Sequence, residues 1–167
     1  EKYTRPDWDE YFLNIAEEVG KRSTCLRRRY GAIIVKDKII VSTGYNGAPR
    51  GEANCIDIGT CERERLNVPK GERYELCVAV HAEQNAIING DFQKMSGATI
   101  YIVGRNVADG SYASGEPCLL CRRLLRFFFE PLDFCLLALL FLALESRLFF
   151  LLFPHLPLFF GKHGFLF

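Results

Sequence analysis

The sequence His81-Ala82-Glu83, followed downstream by Pro117-Cys118-Leu119-Leu120-Cys121, is the feature around which this chain is organised. One imidazole nitrogen and two thiolates can hold a zinc ion and leave its fourth tetrahedral position to water, as in a catalytic zinc site. Glu83 would lie beside that water and move protons without binding the metal. A closed structural site with a fourth protein ligand is the alternative, but it would leave Glu83 without a role.

Each half of this motif is predicted to open a helix. Cys118 and Cys121 follow a proline and a loop-like run over 109–115, so their spacing places both sulfurs on one side of a first helical turn. A helix N-terminus favours negative charge, which lowers the pKa of a thiol and stabilises thiolates. His81 and Glu83 stand at the entry of a helix predicted over 82–88, which ends near Asn89-Gly90.

Length, charge and cysteine content limit the class of protein. The 167 residues suit one domain with a real core, and the formal net charge of +1 shows no basic excess of the kind that nucleic-acid binding requires. No secretory signal peptide opens the sequence, and most of the seven cysteines occupy positions typical of metal ligands. We therefore expect reduced thiols and a cytoplasmic protein.

The first twenty residues predict an amphipathic helix that Asp7 and Glu10 cap and that ends near Gly20. Four apolar side chains share one face of this helix and are expected in the core: Trp8, Phe12, Ile15 and Val19. The runs 31–35 and 39–43 predict a β-hairpin, and 98–103 predicts a third strand. This order of elements predicts an α/β fold in three layers, with a mixed central β-sheet flanked by helices.

Two polar segments near the predicted strands are candidates for substrate contacts. Asn46, in the tight turn that follows the second strand, could hydrogen-bond a sugar hydroxyl or could simply form the turn. The run from Lys21 to Arg29 carries five cations in nine residues. Such a run is typical of a solvated surface, and a phosphate-facing role for some of these cations is the alternative.

A second metal site is predicted from four further cysteines. Residues 50–76 form a long, charged connection, and a loop of this length in a compact domain is usually functional or held in place by something. Cys55 and Cys61 lie in it, Cys25 precedes it and Cys77 follows it. Together they could hold a closed, all-thiolate zinc that fixes the loop. Four free or buried thiols are the alternative.

Residues from about Pro6 to Arg123 resemble the deoxycytidylate deaminase family, within the cytidine deaminase superfamily. The segments that carry the resemblance are Arg22-Ser23-Thr24-Cys25, 41–49, 81–88 and 117–121. The zinc motif is common to the superfamily. Gly44-Tyr45-Asn46-Gly47 together with Gln84-Asn85-Ala86-Ile87 narrows the resemblance to the deoxycytidylate branch.

The resemblance implies zinc-dependent hydrolysis of dCMP to dUMP and ammonia, with hydroxide attacking C4 of the cytosine and Glu83 as the proton shuttle. It further implies homo-oligomers, often hexamers, that dCTP activates and dTTP inhibits. Candidate substrate-binding residues in the matching segments are Asn46, Tyr45, Ala82 and Arg22. Some members carry a second zinc near the positions of Cys25 and Cys55, which favours the four-cysteine site.

Two other functions share parts of this pattern. A deaminase that acts on a base in RNA or DNA has the same zinc motif but needs a basic groove for the flanking backbone. The near-neutral charge argues against it, whereas the cluster at 21–29 favours it. A zinc-stabilised binding module without activity is the second alternative, and the intact set of motif residues argues against that one.

We predict a zinc-dependent deaminase domain over 1–123 and a tail rich in Leu and Phe over 124–167. The tail holds twelve of the fourteen phenylalanines and sustains neither a helical nor a strand period. Its longest apolar run, 134–144, is shorter than the ~20 residues that a membrane span needs, so no membrane association is expected. We interpret the tail as a departure from the natural continuation of the domain, such as a shifted reading frame or an uncertain sequence assignment would produce.

Overall fold

The computed structural model of the chain describes residues 4–69 and 71–129. A four-stranded sheet lies at its centre, in the order β2-β1-β3-β4. The strands are β1 (Arg28–Lys36), β2 (Ile39–Tyr45), β3 (Thr99–Asn106) and β4 (Tyr112–Ala113). The α/β class is confirmed. A mixed sheet was expected, and all three pairings among the described strands are antiparallel, so no parallel pairing lies within this part of the chain.

The predicted hairpin is confirmed as β1 and β2. Asp37 and Lys38 form its two-residue turn, and both have positive φ angles, 50° and 63°. Positive φ at both central positions is typical of the hairpin turn whose twist matches that of the flanking strands. The centre of β1, 31–35, is buried throughout because helices cover both faces of the sheet there. This explains why the sequence of β1 is apolar without alternation.

Helix α1 (Trp8–Gly20) covers one face of the sheet. The predicted cap is confirmed, since the Asp7 carboxylate accepts a hydrogen bond of 2.8 Å from the Glu10 backbone N–H. Phe12 is buried against β1, and Ile15 and Val19 are partly buried beside it. The core prediction is wrong for Trp8, which is 41% exposed. A helical side chain covers the turn that precedes it, and at the first residue of the helix no such turn exists.

Helix α4 (Ala82–Asn89) covers the other face and completes the three layers. Its residues Ala82, Ala86 and Ile87 pack in one buried cluster with Ala32 and Ile34 of β1. Gly44 of β2 permits this approach, because a Cβ atom there would lie 2.2 Å from the Ala86 backbone nitrogen. The close packing of α4 on the sheet sets the position of the residues at the start of the helix.

Helix α5 (Leu119–Phe129) packs partly buried apolar side chains against the same cluster: Leu124, Leu125, Phe128 and Phe129. The predicted domain boundary at residue 123 falls inside this helix. The division into a domain and a tail stays a prediction, and residues 130–167 of the predicted tail lie outside the described residues. No helix in the described segments is long and apolar enough to cross a bilayer.

The long connection between β2 and α4 contains two one-turn helices, α2 (Cys55–Ile58) and α3 (Glu62–Arg65), and a 3-10 turn at Tyr74–Leu76. The two ends of this connection are joined, because Gly47 and Val80 exchange backbone hydrogen bonds of 3.2 and 2.9 Å. The connection therefore begins and ends at the same place in the fold, and His81 directly follows its end.

Candidate active site

Three metal-ligating side chains meet at the N-termini of α4 and α5. His81 is the residue before α4, Cys118 is the residue before α5, and Cys121 lies in the first turn of α5. The His81 Nδ1 atom is 3.4 Å from the sulfur of Cys118 and 3.3 Å from that of Cys121. A tetrahedral zinc with Zn–S of about 2.3 Å and Zn–N of about 2.0 Å separates nitrogen from sulfur by about 3.5 Å. The three side chains therefore fit a zinc ion.

Two contacts hold His81 in place. The backbone N–H of His81 donates a hydrogen bond of 3.2 Å to the Gln84 side chain, which fixes the residue at the entry of α4. The ring of Tyr74 packs edge-to-face on the imidazole, with 5.0 Å between the ring centroids. These contacts leave Nδ1 facing the two thiols, as a metal ligand requires.

Glu83 is buried in the first turn of α4 and borders the same cavity as His81 and Cys118. Burial raises the pKa of the Cys121 thiol, and the neighbouring Glu83 carboxylate raises it further by its charge and by a hydrogen bond. In the metal-free protein burial thus outweighs the helix N-terminus, which we expected to lower the pKa of this thiol. A bound metal cation reverses this balance, because a coordinating thiol is deprotonated.

The cavity beside the metal ligands has an empty volume of about 930 Å³, its open mouth included. In a small-molecule site a few polar groups orient the ligand. Glu83 and the ligands His81 and Cys118 contribute to its lining. Three arginines contribute to the rest of the lining: Arg27, Arg28 and Arg63.

Residues 6–129 match the family described as the cytidine and deoxycytidylate deaminase zinc-binding region. The chain belongs to this family. The predicted Zn²⁺ cofactor is confirmed by this match together with the geometry of His81, Cys118 and Cys121.

Named relatives agree with the family assignment. A deoxycytidylate deaminase from a Mycobacterium phage is 44% identical over 128 residues, which are 73% of this chain and 88% of the phage protein. The deoxycytidylate deaminase of Schizosaccharomyces pombe is 37% identical over 117 residues, 70% of this chain. That match covers 33% of the yeast protein, so the chain spans about a third of this relative.

A solved structure of the dCMP deaminase from the cyanophage S-TIM5, in its apo form, is similar to the chain with a TM-score of 0.49. The sequence identity is 24%, and the similar region covers 76% of this chain and 80% of the cyanophage chain.

Within this family site, two of the four candidate substrate-binding residues border the cavity: Asn46 and Ala82. The Asn46 amide holds the start of β1, since its Oδ1 accepts from the Tyr30 N–H at 2.6 Å and its Nδ2 donates to the Arg28 carbonyl at 2.9 Å. One lone pair and one N–H of this amide remain for a ligand. Both roles that the sequence left open for Asn46 are thus compatible with its position.

Tyr45 and Arg22 are not among the residues that line the cavity. Neighbouring side chains of a strand point to opposite faces, so Tyr45 is exposed where Gly44 and Asn46 are buried. Arg22 lies in the turn after α1 and is exposed. A substrate contact by either side chain stays a prediction.

The lining residues that sequence reasoning did not single out include Tyr30, Arg63 and Tyr74. Tyr30 lies on β1 in alternation with Ala32 and Ile34, so its place on the α4 side of the sheet could have been read from the strand period. Its hydroxyl donates a hydrogen bond of 3.0 Å to the Ser114 carbonyl, and burial raises its pKa. The other two lie in the long connection, which has no periodicity to interpret.

The four cysteines of the predicted second site all border this same cavity: Cys25, Cys55, Cys61 and Cys77. Burial raises the pKa of the Cys55 and Cys77 thiols, and the charges of the neighbouring cysteines raise both further. Within residues 4–69 and 71–129, however, only His81, Cys118 and Cys121 bring three ligand atoms within 4.8 Å of one another. No three of the four thiol sulfurs lie within this distance of one another, so the second site stays a prediction.

Proposed function

We propose that this chain hydrolyses dCMP to dUMP and ammonia. The observation that carries the proposal is that two of the three zinc ligands, His81 and Cys118, and the buried carboxylate of Glu83 border one cavity. The relatives named deoxycytidylate deaminase support the choice of substrate.

Glu83 is the proton carrier of the proposed reaction. Zinc held by His81, Cys118 and Cys121 supplies Lewis-acid activation of water at the site. Glu83 accepts a proton from the water whose oxygen adds to C4 of the cytosine ring. The same carboxylate donates this proton to N3. It then accepts a second proton from the hydroxyl group now on C4 and donates it to the amine, so that ammonia departs as the C4 carbonyl forms. Its burial beside the metal ligands excludes bulk water from these transfers.

The first test is the Glu83→Gln substitution. The amide fills the same space but cannot carry a proton, so we expect kcat to fall roughly 100- to 10,000-fold while the zinc content is unchanged. Ammonia release from dCMP and zinc analysis of the same sample measure both. Glu52→Gln, at an exposed carboxylate outside the cavity, is the matched control. Appreciable turnover by the Glu83→Gln protein would contradict the role of Glu83 as the proton carrier.

Substrate contacts in the proposed complex come from the residues that border the cavity. We propose that the backbone at Ala82, in the first turn of α4, lies against the cytosine, and that the free N–H or lone pair of Asn46 binds the sugar. The sugar contact can be tested by comparing the turnover of deoxycytidine, cytidine and dCMP in one assay. An Asn46 variant is expected to lose the discrimination between the sugars of cytidine and deoxycytidine.

We also propose a second, structural zinc at Cys25, Cys55, Cys61 and Cys77. The four thiols share one wall of the cavity, and a tetrahedral ion would draw them together with the loop that carries them. Zinc analysis should give about two ions per chain, and about one after Cys25→Ser. One zinc in the unaltered protein, with unchanged content in the Cys25→Ser protein, would contradict this site.

The remaining properties follow from the family resemblance alone. We propose a cytoplasmic homo-oligomer, a hexamer by resemblance, whose activity dCTP raises and dTTP lowers, with the deaminase domain over 1–123. Sedimentation measures the assembly, and rates with each triphosphate measure the effector response. Binding to a polynucleotide that weakens steeply with salt would instead favour the nucleic-acid alternative.

A further inference from the structure

Arg63, in the one-turn helix α3, is a buried cation on the wall of the active-site cavity. Its side chain is 8% exposed. Both of its hydrogen bonds leave from Nη2, which donates to the carbonyls of Pro69 at 3.0 Å and Glu72 at 2.6 Å. The Nε atom has no hydrogen-bond partner in the described structure. The guanidinium is therefore held in place by neutral groups.

The charge of Arg63 has no carboxylate partner among the described residues, whereas Arg27 of the same cavity forms an ion pair with Glu64 at 3.0 Å. Arg28, the third arginine of the cavity, donates through Nε to the Asn106 side chain. Buried charges in proteins are normally paired, because an uncompensated charge is costly to remove from water. A fixed cation that borders a ligand cavity and forms no ion pair of its own among the described residues is placed to bind an anion supplied by the ligand.

The distance of Arg63 from the metal ligands suits a nucleotide. Its guanidinium carbon lies 4.8 Å from the centre of the Tyr74 ring, and that ring lies 5.0 Å from the His81 ring. Arg63 is thus at most about 10 Å from the His81 ring, and both residues line the cavity. A nucleoside monophosphate can span a separation within this limit between its base and its phosphate.

We infer that Arg63 binds the 5′-phosphate of the nucleotide and makes the site selective for nucleoside monophosphates over nucleosides. The inference rests on the proposed function. Tyr74 is the positioning residue in this arrangement, because its ring packs on both the guanidinium and the zinc ligand His81. The cytosine end and the phosphate end of the substrate are thereby set relative to each other by one aromatic ring.

The test compares dCMP with deoxycytidine in the zinc-loaded full chain. For the unaltered protein, kcat/KM should be at least tenfold higher for dCMP. Arg63→Gln should lower kcat/KM for dCMP roughly 10- to 100-fold, mainly through KM, because a hydrogen bond to a charged group is lost. The same substitution should lower kcat/KM for deoxycytidine much less, and Arg63→Lys should retain part of the selectivity. Arg65→Gln, on the same helix but in an exposed pair with Glu62, is the matched control.

Three results would overturn the inference. These are equal turnover of dCMP and deoxycytidine by the unaltered protein, an equal loss for both substrates in Arg63→Gln, and a loss of zinc without a change in selectivity. The last would show that Arg63 compensates thiolates instead. Calorimetric binding of dCMP and deoxycytidine repeats the comparison without turnover. An inactive protein that still prefers dCMP would therefore refute the proposed function and leave the phosphate assignment standing.

Discussion

At the scale of single residues, Asn46 shows how one side chain can join structure and site. Its side-chain amide accepts a hydrogen bond from the Tyr30 N–H and donates one to the Arg28 carbonyl. Its backbone N–H donates to the Tyr30 carbonyl at 3.2 Å. These bonds continue the pairing of β1 with the segment after β2, beyond the end of the hairpin. Asn46 therefore holds the strand end that carries Arg28 and Tyr30 to the cavity.

We expect Asn46→Ala to lower the free energy of unfolding by about 1–3 kcal/mol, because it leaves a buried N–H and a buried carbonyl without partners. Urea unfolding measures this change. Asn89→Ala is the matched control, since the exposed Asn89 makes one side-chain hydrogen bond of 3.0 Å to the Thr43 carbonyl of β2. A loss for Asn46→Ala no larger than for Asn89→Ala would contradict the role assigned to Asn46.

At the scale of elements, the site depends on how closely α4 lies against β2. The place of contact is Gly44, where a Cβ atom would lie 2.2 Å from the Ala86 nitrogen and 2.4 Å from the Ala82 carbonyl oxygen. His81 directly precedes this helix, so any displacement of α4 moves a zinc ligand. The glycine of the Gly44-Tyr45-Asn46-Gly47 segment is thus explained by helix packing.

We expect Gly44→Ala to lower the free energy of unfolding by about 1–3 kcal/mol or more, because the added methyl group forces the helix away from the strand. The zinc affinity should fall as well, since His81 moves relative to the two cysteines. Urea unfolding and competition with a chelating dye measure the two effects. Thr43→Ala, at the exposed neighbouring position, should change neither. Unaltered stability and zinc affinity in Gly44→Ala would refute this account of the glycine.

At the scale of the whole molecule, the metal joins helices that are far apart in sequence. Cys118 and Cys121 lie 37 and 40 residues after His81, and α4 and α5 otherwise meet through partly buried side chains on one apolar cluster. A ligand that binds only the folded state stabilises it by mass action. Zinc bound here should therefore stabilise the domain as a whole.

We expect removal of zinc by a chelator to lower Tm by several degrees, since free zinc at 100 times Kd contributes about 2.7 kcal/mol. Thermal unfolding with and without chelator measures the shift. Cys121→Ser removes a ligand that is fully buried, so its Tm should be low and should fall less with chelator than the Tm of the unaltered protein. An identical Tm for the unaltered protein in both conditions would show that the metal does not contribute to folding stability.

Local sequence was sufficient to predict those features whose contacts are made by residues close together in the chain. The Asp7 cap, the hairpin turn at Asp37 and Lys38, and the start of α4 at His81 each depend on residues within four positions. Trp8 was predicted wrongly because its burial depends on what lies beneath the first helical turn. For Tyr45 the strand period explains its exposure, and its contact with the substrate stays a prediction.

By itself, the sequence determined the zinc ligands, the position of the Glu83 carboxylate beside them and the α/β class, because the spacing of His81, Glu83, Cys118 and Cys121 is local to two helix starts. The tertiary structure alone decided which other side chains face the cavity. Arg63 and Tyr74 reach it from an irregular connection whose course is set by hydrogen bonds to its own carbonyls and by packing on His81. Such contacts have no sequence period, so only the folded chain shows that a buried guanidinium and a zinc ligand share one wall.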